Sequence, residues 1–80
     1  MKISNEELES LGWKHYGFGW YDYTGDCGGL GHWFEVKLRM WGDASFIKAI
    51  RGEEEEYLYQ GKLGDKEYLE KLMYMINLHN

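Results

Sequence analysis

The clearest alternation of apolar and polar positions runs from His32 to Trp41. Phe34, Val36, Leu38 and Met40 point one way, and Trp33, Glu35, Lys37, Arg39 and Trp41 point the other. This period-two pattern predicts a strand with one buried face. Gly42-Asp43 then supplies a turn, and Ser45 to Arg51 predicts the next strand. Phe46 and Ile50 lie on one of its faces, Ile47 and Ala49 on the other. Upstream, Trp13 to Tyr23 reads as one long strand, with Tyr16, Phe18 and Trp20 opposite Trp13, Tyr21 and Tyr23. Gly17 and Gly19 interrupt it and mark a bulge or a close backbone approach. Downstream, Gly52 and the run Glu53 to Glu56 read as a connection, followed by a short last strand over Tyr57 to Gln60.

The two ends carry helical spacing. Ser4 with Glu7 three residues on is a capping box, Leu8 and Leu11 share a face, and Gly12 is a stop. A short helix is expected from Asn5 to Leu11. Asp65 suits an N-cap, with Glu67 in the first turn beside the positive end of the helix dipole. Tyr68, Leu69, Leu72, Met73, Met75 and Ile76 then form a broad apolar stripe. The expected fold is therefore α+β, one domain over residues 1–80. A short N-terminal helix precedes a four-stranded antiparallel meander, and a C-terminal helix packs on one face of the sheet.

Composition changes this picture in two ways. An 80-residue chain has a limited core. Four Trp, seven Tyr and three Phe compensate, because aromatics bury the most area per residue. The net charge of −5 disfavours direct binding of nucleic acid, which needs clustered cations, and suits a partner with a basic surface. Cys27 is the single cysteine, so no internal disulfide forms, and a cytoplasmic location is expected (host cytoplasm if the gene is carried by a phage). The opening MKISNEELES is polar, unlike a signal peptide, and no run approaches the ~20 apolar residues of a membrane span.

Residues 20–34, WYDYTGDCGGLGHWF, hold the candidate chemistry. Gly25, Gly28, Gly29 and Gly31 could cradle a phosphate, but such loops join a strand to a helix, and these glycines join two strands. Asp26 also places negative charge where a phosphate would sit. A hairpin loop using positive φ is the simpler reading. Cys27 and His32 are two soft ligands where structural zinc asks for four, and His79 lies near a chain end. A thiol mechanism would need a base and an orienting group in a cleft, with His15, Asp22 and Asp26 as the candidates. No catalytic set, metal site or cofactor is expected.

Binding is the better prospect. If Phe34, Val36, Leu38 and Met40 meet the helix, Trp33 and Trp41 face away from it, and Tyr21, Tyr23, Tyr57 and Tyr59 could join them, with Glu35, Lys37 and Arg39 between. Tyr and Trp dominate binding hot spots and can also stack a nucleobase. Glu53, Glu54, Glu55 and Glu56 would steer a basic partner. The expected partner-binding residues are thus Tyr21, Tyr23, Trp33, Trp41, Glu53, Glu54, Glu55, Glu56 and Tyr57. Two open sheet edges and a heavy apolar load also predict a homodimer, through an edge strand or the aromatic face.

The chain ends resemble a recurrent pattern of small phage and prophage proteins. The pattern has a Leu-x-x-Leu-Gly-Trp-like start, carried here by Leu8, Leu11, Gly12 and Trp13. A Leu-Phe/Tyr-x-Gly-x-Leu step follows, carried by Leu58, Tyr59, Gly61 and Leu63, and leads into a helix with Leu69 and Leu72. The match covers about half the chain and carries no site residue. Members of that group with known roles include inhibitors of bacterial defence systems such as anti-CRISPR proteins. The resemblance implies an inhibitor of a host or defence protein. Small size, negative charge, the aromatic excess and the lack of a catalytic set add the expectation of a non-enzymatic acidic binding protein, with no membrane partner. Two alternatives stand beside it: a small-molecule or nucleotide-binding module, and an immunity protein against a basic nuclease toxin.

Overall fold

A computed structural model describes residues 3–25, 30–31, 35–41 and 44–78. The order is α1 (Asn5–Ser10), β1 (Trp13–Gly17), β2 (Trp20–Tyr23), β3 (Glu35–Trp41), β4 (Ala44–Arg51), β5 (Glu54–Gly61) and α2 (Lys66–Met75). The strands form one antiparallel sheet in sequence order, β1-β2-β3-β4-β5. The α+β class and the meander are as expected, but the sheet has five strands rather than four.

The extra strand comes from Gly17-Phe18-Gly19. These residues take φ of 120°, 51° and 78°, so the chain reverses where a single strand was expected. Positive φ at both central residues is what a two-residue hairpin turn of the primed type requires. Gly17 pairs with Trp20 across the turn, and the register slips between His15 and Gly17, leaving Tyr16 as the extra residue of a bulge. Both sequence hints are realised here, the second at Gly19. A Cβ on that residue would lie 2.4 Å from the Met40 carbonyl oxygen, and the Gly19 carbonyl accepts from Met40 N–H at 2.8 Å.

The second difference is at the acidic run. Gly52, at φ 62°, allows a two-residue turn with Glu53, so Arg51 pairs with Glu54 and the following glutamates enter β5. The register slips again between Ile47 and Lys48, which face Tyr59 and Tyr57 respectively, so Leu58 is the extra residue. The Gly42-Asp43 turn and positions Trp33 and Phe34 lie outside the described residues.

The helices start as their caps predict. Ser4 Oγ accepts from the Glu7 N–H at 3.2 Å while Glu7 Oε1 accepts from the Ser4 N–H at 3.0 Å, a complete capping box. Asp65 caps α2 by accepting from the Tyr68 N–H at 2.9 Å. Leu8 from α1 and Leu69, Leu72 and Met73 from α2 join Trp13, Tyr21, Val36, Leu38, Ile47 and Ala49 in one core. The Trp13 indole N–H donates to Met73 Sδ at 3.2 Å, tying β1 to α2. In the α2 stripe, Tyr68 and Met75 are exposed and do not join this core. Both helices therefore sit on the same face of the sheet, and the opposite face carries neither. No helix among the described residues is long and apolar enough to cross a membrane.

Candidate functional site: the open face of the sheet

Cross-strand partners share a face, so the register decides which side chains reach the uncovered side. Tyr21 pairs with Leu38, and Leu38 with Ile47, all on the core side. One residue away, Trp20 pairs with Arg39 and Arg39 with Phe46, all on the open side. This corrects the expected placement of Tyr21 and Tyr23. Both are buried, Tyr21 donating from its hydroxyl to Asn5 Oδ1 and Tyr23 packing on Trp13 with ring centroids 5.1 Å apart. Tyr59, expected beside Tyr57 on the outer face, turns to the core side because the bulge at Leu58 inverts the alternation; its hydroxyl donates to the Lys62 carbonyl.

Trp41 and Tyr57, 68% and 55% exposed, do reach the open side. They line a shallow open depression of about 390 Å³ together with Ala44, Phe46 and Gln60. Phe46 meets Tyr57 edge to face at 5.3 Å and Trp20 at 5.7 Å. Tyr16 stacks beside Trp20 at 6.4 Å. Among these, Tyr16, Trp20 and Phe46 are not expected from the sequence as partner-binding residues. With Tyr21 and Tyr23 expected outward, the alternation puts Tyr16 and Trp20 on the inner side; only the pairing of Tyr21 with Leu38 reverses that.

Three cations run down the middle of the face. Lys37 donates to Asp22 Oδ1 at 2.8 Å and Lys48 to Glu55 Oε1 at 2.6 Å. The hydrogen bond to Asp22 outweighs partial burial and raises the Lys37 pKa above its ordinary value. Arg39 has no carboxylate partner among the described residues. Its guanidinium lies between two indoles, 4.8 Å from the centroid of Trp20 and 4.7 Å from that of Trp41. Its Nε is shut off from solvent and has no hydrogen-bond acceptor among the described residues. Cation–π contact offsets part of that cost but supplies no anion.

Phe18 stands at the tip of the β1–β2 hairpin. It is 92% exposed and holds a left-handed φ of 51°, which a bulky residue rarely adopts. The backbone bond between Gly19 and Met40 places this tip at the Trp41 end of the sheet, the end where the depression opens.

The acidic residues separate. Glu55 faces the open side with Lys48. Glu54 is bridged to Arg51 at 2.8 Å, Glu53 lies in the turn, and Glu56 is exposed on β5. Charge on an edge strand also discourages unwanted strand pairing, so part of the run has a structural reason. Trp33, Cys27, Asp26, His32 and His79 lie outside the described residues, as do Gly28 and Gly29. Among the described residues, no group of three or more His, Cys, Asp or Glu could hold a metal ion.

Comparison with family models, with curated proteins and with solved structures finds no match for this chain.

Proposed function

We propose that this protein is a non-enzymatic binding protein that engages a protein partner through the open face of its sheet. One observation carries the reading. Both helices cover one face, while Trp20, Arg39, Trp41, Phe46 and Tyr57 occupy the other, and Phe18 stands exposed at the hairpin tip near the Trp41 end of the sheet. A domain of this size has little apolar area to spare for its core, yet it leaves Phe18, Trp41 and Tyr57 exposed, and exposed aromatic groups of this kind mark interaction sites. Trp, Tyr and Arg are the residues that most often dominate binding energy.

The phage-type inhibitor of a host or defence protein remains the favoured role. Its support is the small acidic chain and the resemblance of its ends to small phage proteins. The partner would meet aromatic anchors at the centre and carboxylates at the β5 rim, so basic groups around its contact surface fit. The openness of the depression weighs against the small-molecule or nucleotide alternative, since such sites enclose ~70–90% of their ligand. For self-association, β5 is a poor edge because Glu54, Glu55 and Glu56 place charge along it, which discourages strand pairing. The other edge, β1, is only five residues long and bulged. A homodimer would therefore use the aromatic face and compete with the partner for it.

The test is capture from host extract by the wild-type chain and by Trp41→Asp. Trp41 is exposed, so the variant should fold, as circular dichroism can verify. A protein retained by the wild type and lost with Trp41→Asp is the expected result. Equal retention by both would overturn the reading.

A further inference from the structure

The charges at the centre of the open face are not evenly answered. Lys37 and Lys48 each have a carboxylate within 3 Å, at 2.8 and 2.6 Å. Arg39, one step along the same face from the Lys37–Lys48 pair, meets only the π faces of Trp20 and Trp41 among the described residues. Phe46, its cross-strand partner, forms a wall of the depression that Trp41 and Tyr57 also line. A guanidinium with no carboxylate partner among the described residues thus adjoins an apolar hollow of about 390 Å³, ample for an aromatic ring.

We infer that Arg39 receives a carboxylate from the partner protein, delivered by an acidic residue adjacent to an aromatic side chain that seats against Trp41, Phe46 and Tyr57. The inference rests on the open face being the binding face. Contact with two indoles restricts the guanidinium before any partner arrives, so a planar, two-oxygen acceptor meets a partly ordered donor on docking. Charge-assisted bonds of this type are about twice as strong as neutral ones, and the flanking rings keep water away from them. A polynucleotide fits less well. It brings a row of phosphates, whereas Lys37 and Lys48 are already neutralised and Asp22, Glu35 and Glu55 stand around them. A single carboxylate beside a single ring matches what is unmet.

The test is selection of a phage-displayed random peptide library on the immobilised full chain, followed by affinity measurement on one synthetic selected peptide. Enriched peptides should carry Asp or Glu next to Trp, Phe or Tyr. Replacing that carboxylate by its amide should weaken binding roughly tenfold or more, as loss of a charged hydrogen bond does. Arg39→Gln should erase the difference between the two peptides. Uridine monophosphate at millimolar concentration should not displace the peptide. Enrichment of aromatic peptides that bind the acid and amide forms equally would overturn the Arg39 assignment and leave the open-face reading intact. Peptides that bind Trp41→Asp as well as wild type would strike at the open-face reading itself. Failure to enrich any peptide, or displacement by the nucleotide, would also overturn the inference.

Discussion

Phe18 should be a residue whose replacement makes the domain more stable. Its φ of 51° brings Cβ close to the following carbonyl, which costs an L-residue ~1–2 kcal/mol relative to the right-handed regions. The ring recovers almost none of that, because the residue is 92% exposed. Asn visits the left-handed region readily through local hydrogen bonding, so Phe18→Asn should regain ~0.5–1 kcal/mol of the strain. For a domain of this length that corresponds to a rise in melting temperature of ~2–8 °C. Thermal unfolding followed by circular dichroism reads it directly. The same variant should capture partner more weakly, since a strained, exposed ring retained at a hairpin tip is the signature of a contact residue. An unchanged or lowered melting temperature would refute the strain argument. Unchanged capture would remove Phe18 from the binding surface.

Other substitutions separate the two faces of the sheet. Leu38→Ala strips three fully buried carbons, ~2–5 kcal/mol with the cavity included, whereas Trp41→Ala should cost ~1 kcal/mol or less from the lost contact with Arg39; urea unfolding of both checks the order. Gly19→Ala should cost at least ~2 kcal/mol, because positive φ and the Met40 carbonyl both oppose a Cβ, while Gly52→Ala, with nothing within 4 Å, should cost only the ~1–2 kcal/mol of its φ; parallel urea curves compare them. Stability should fall as pH rises from about 10. Burial raises the pKa of Tyr21, the hydrogen bond with Tyr68 raises that of Tyr59, and Asp22 raises that of Lys37, from ordinary values of 10.0, 10.0 and 10.5. Each group holds its proton more tightly folded than unfolded, so its contribution is intact below its ordinary value and lost as pH climbs through the raised one. Urea midpoints across this alkaline range would show the fall, and a midpoint that rises there would contradict it.

The elements were legible where one residue type dictates one local geometry. Ser4 with Glu7, Asp65 before α2 and the alternation of β3 and β4 each led to the element observed. The hairpin at Gly17-Phe18-Gly19 was not, because Phe18 is a residue that turn chemistry argues against, and the alternation on its two sides reads through the turn. The core was legible as a set of parities but not as an orientation. Tyr21 and Trp20 are adjacent, and only the pairing of Tyr21 with Leu38 shows which of them faces the helices. Tyr59 went astray for a related reason, since one bulged residue inverts everything beyond it. The acidic run was placed in a connection because four adjacent glutamates are poor strand formers. The tight turn at Gly52, together with Arg51 and Lys48 across the ladder, draws them into β5. Trp41 and Tyr57 were reachable from pattern alone. The Trp20–Arg39–Trp41 sandwich needed three-dimensional register, because its members come from two strands.

Site-specific photo-crosslinking in living cells that express the chain tests the open face most directly. A photoreactive phenylalanine analogue placed at position 41 on the open face should yield a covalent adduct with a single partner protein. The same analogue at the exposed position of Lys66, at the start of α2 on the other side of the sheet, should yield none. An adduct formed from position 66 and absent from position 41 would contradict the account.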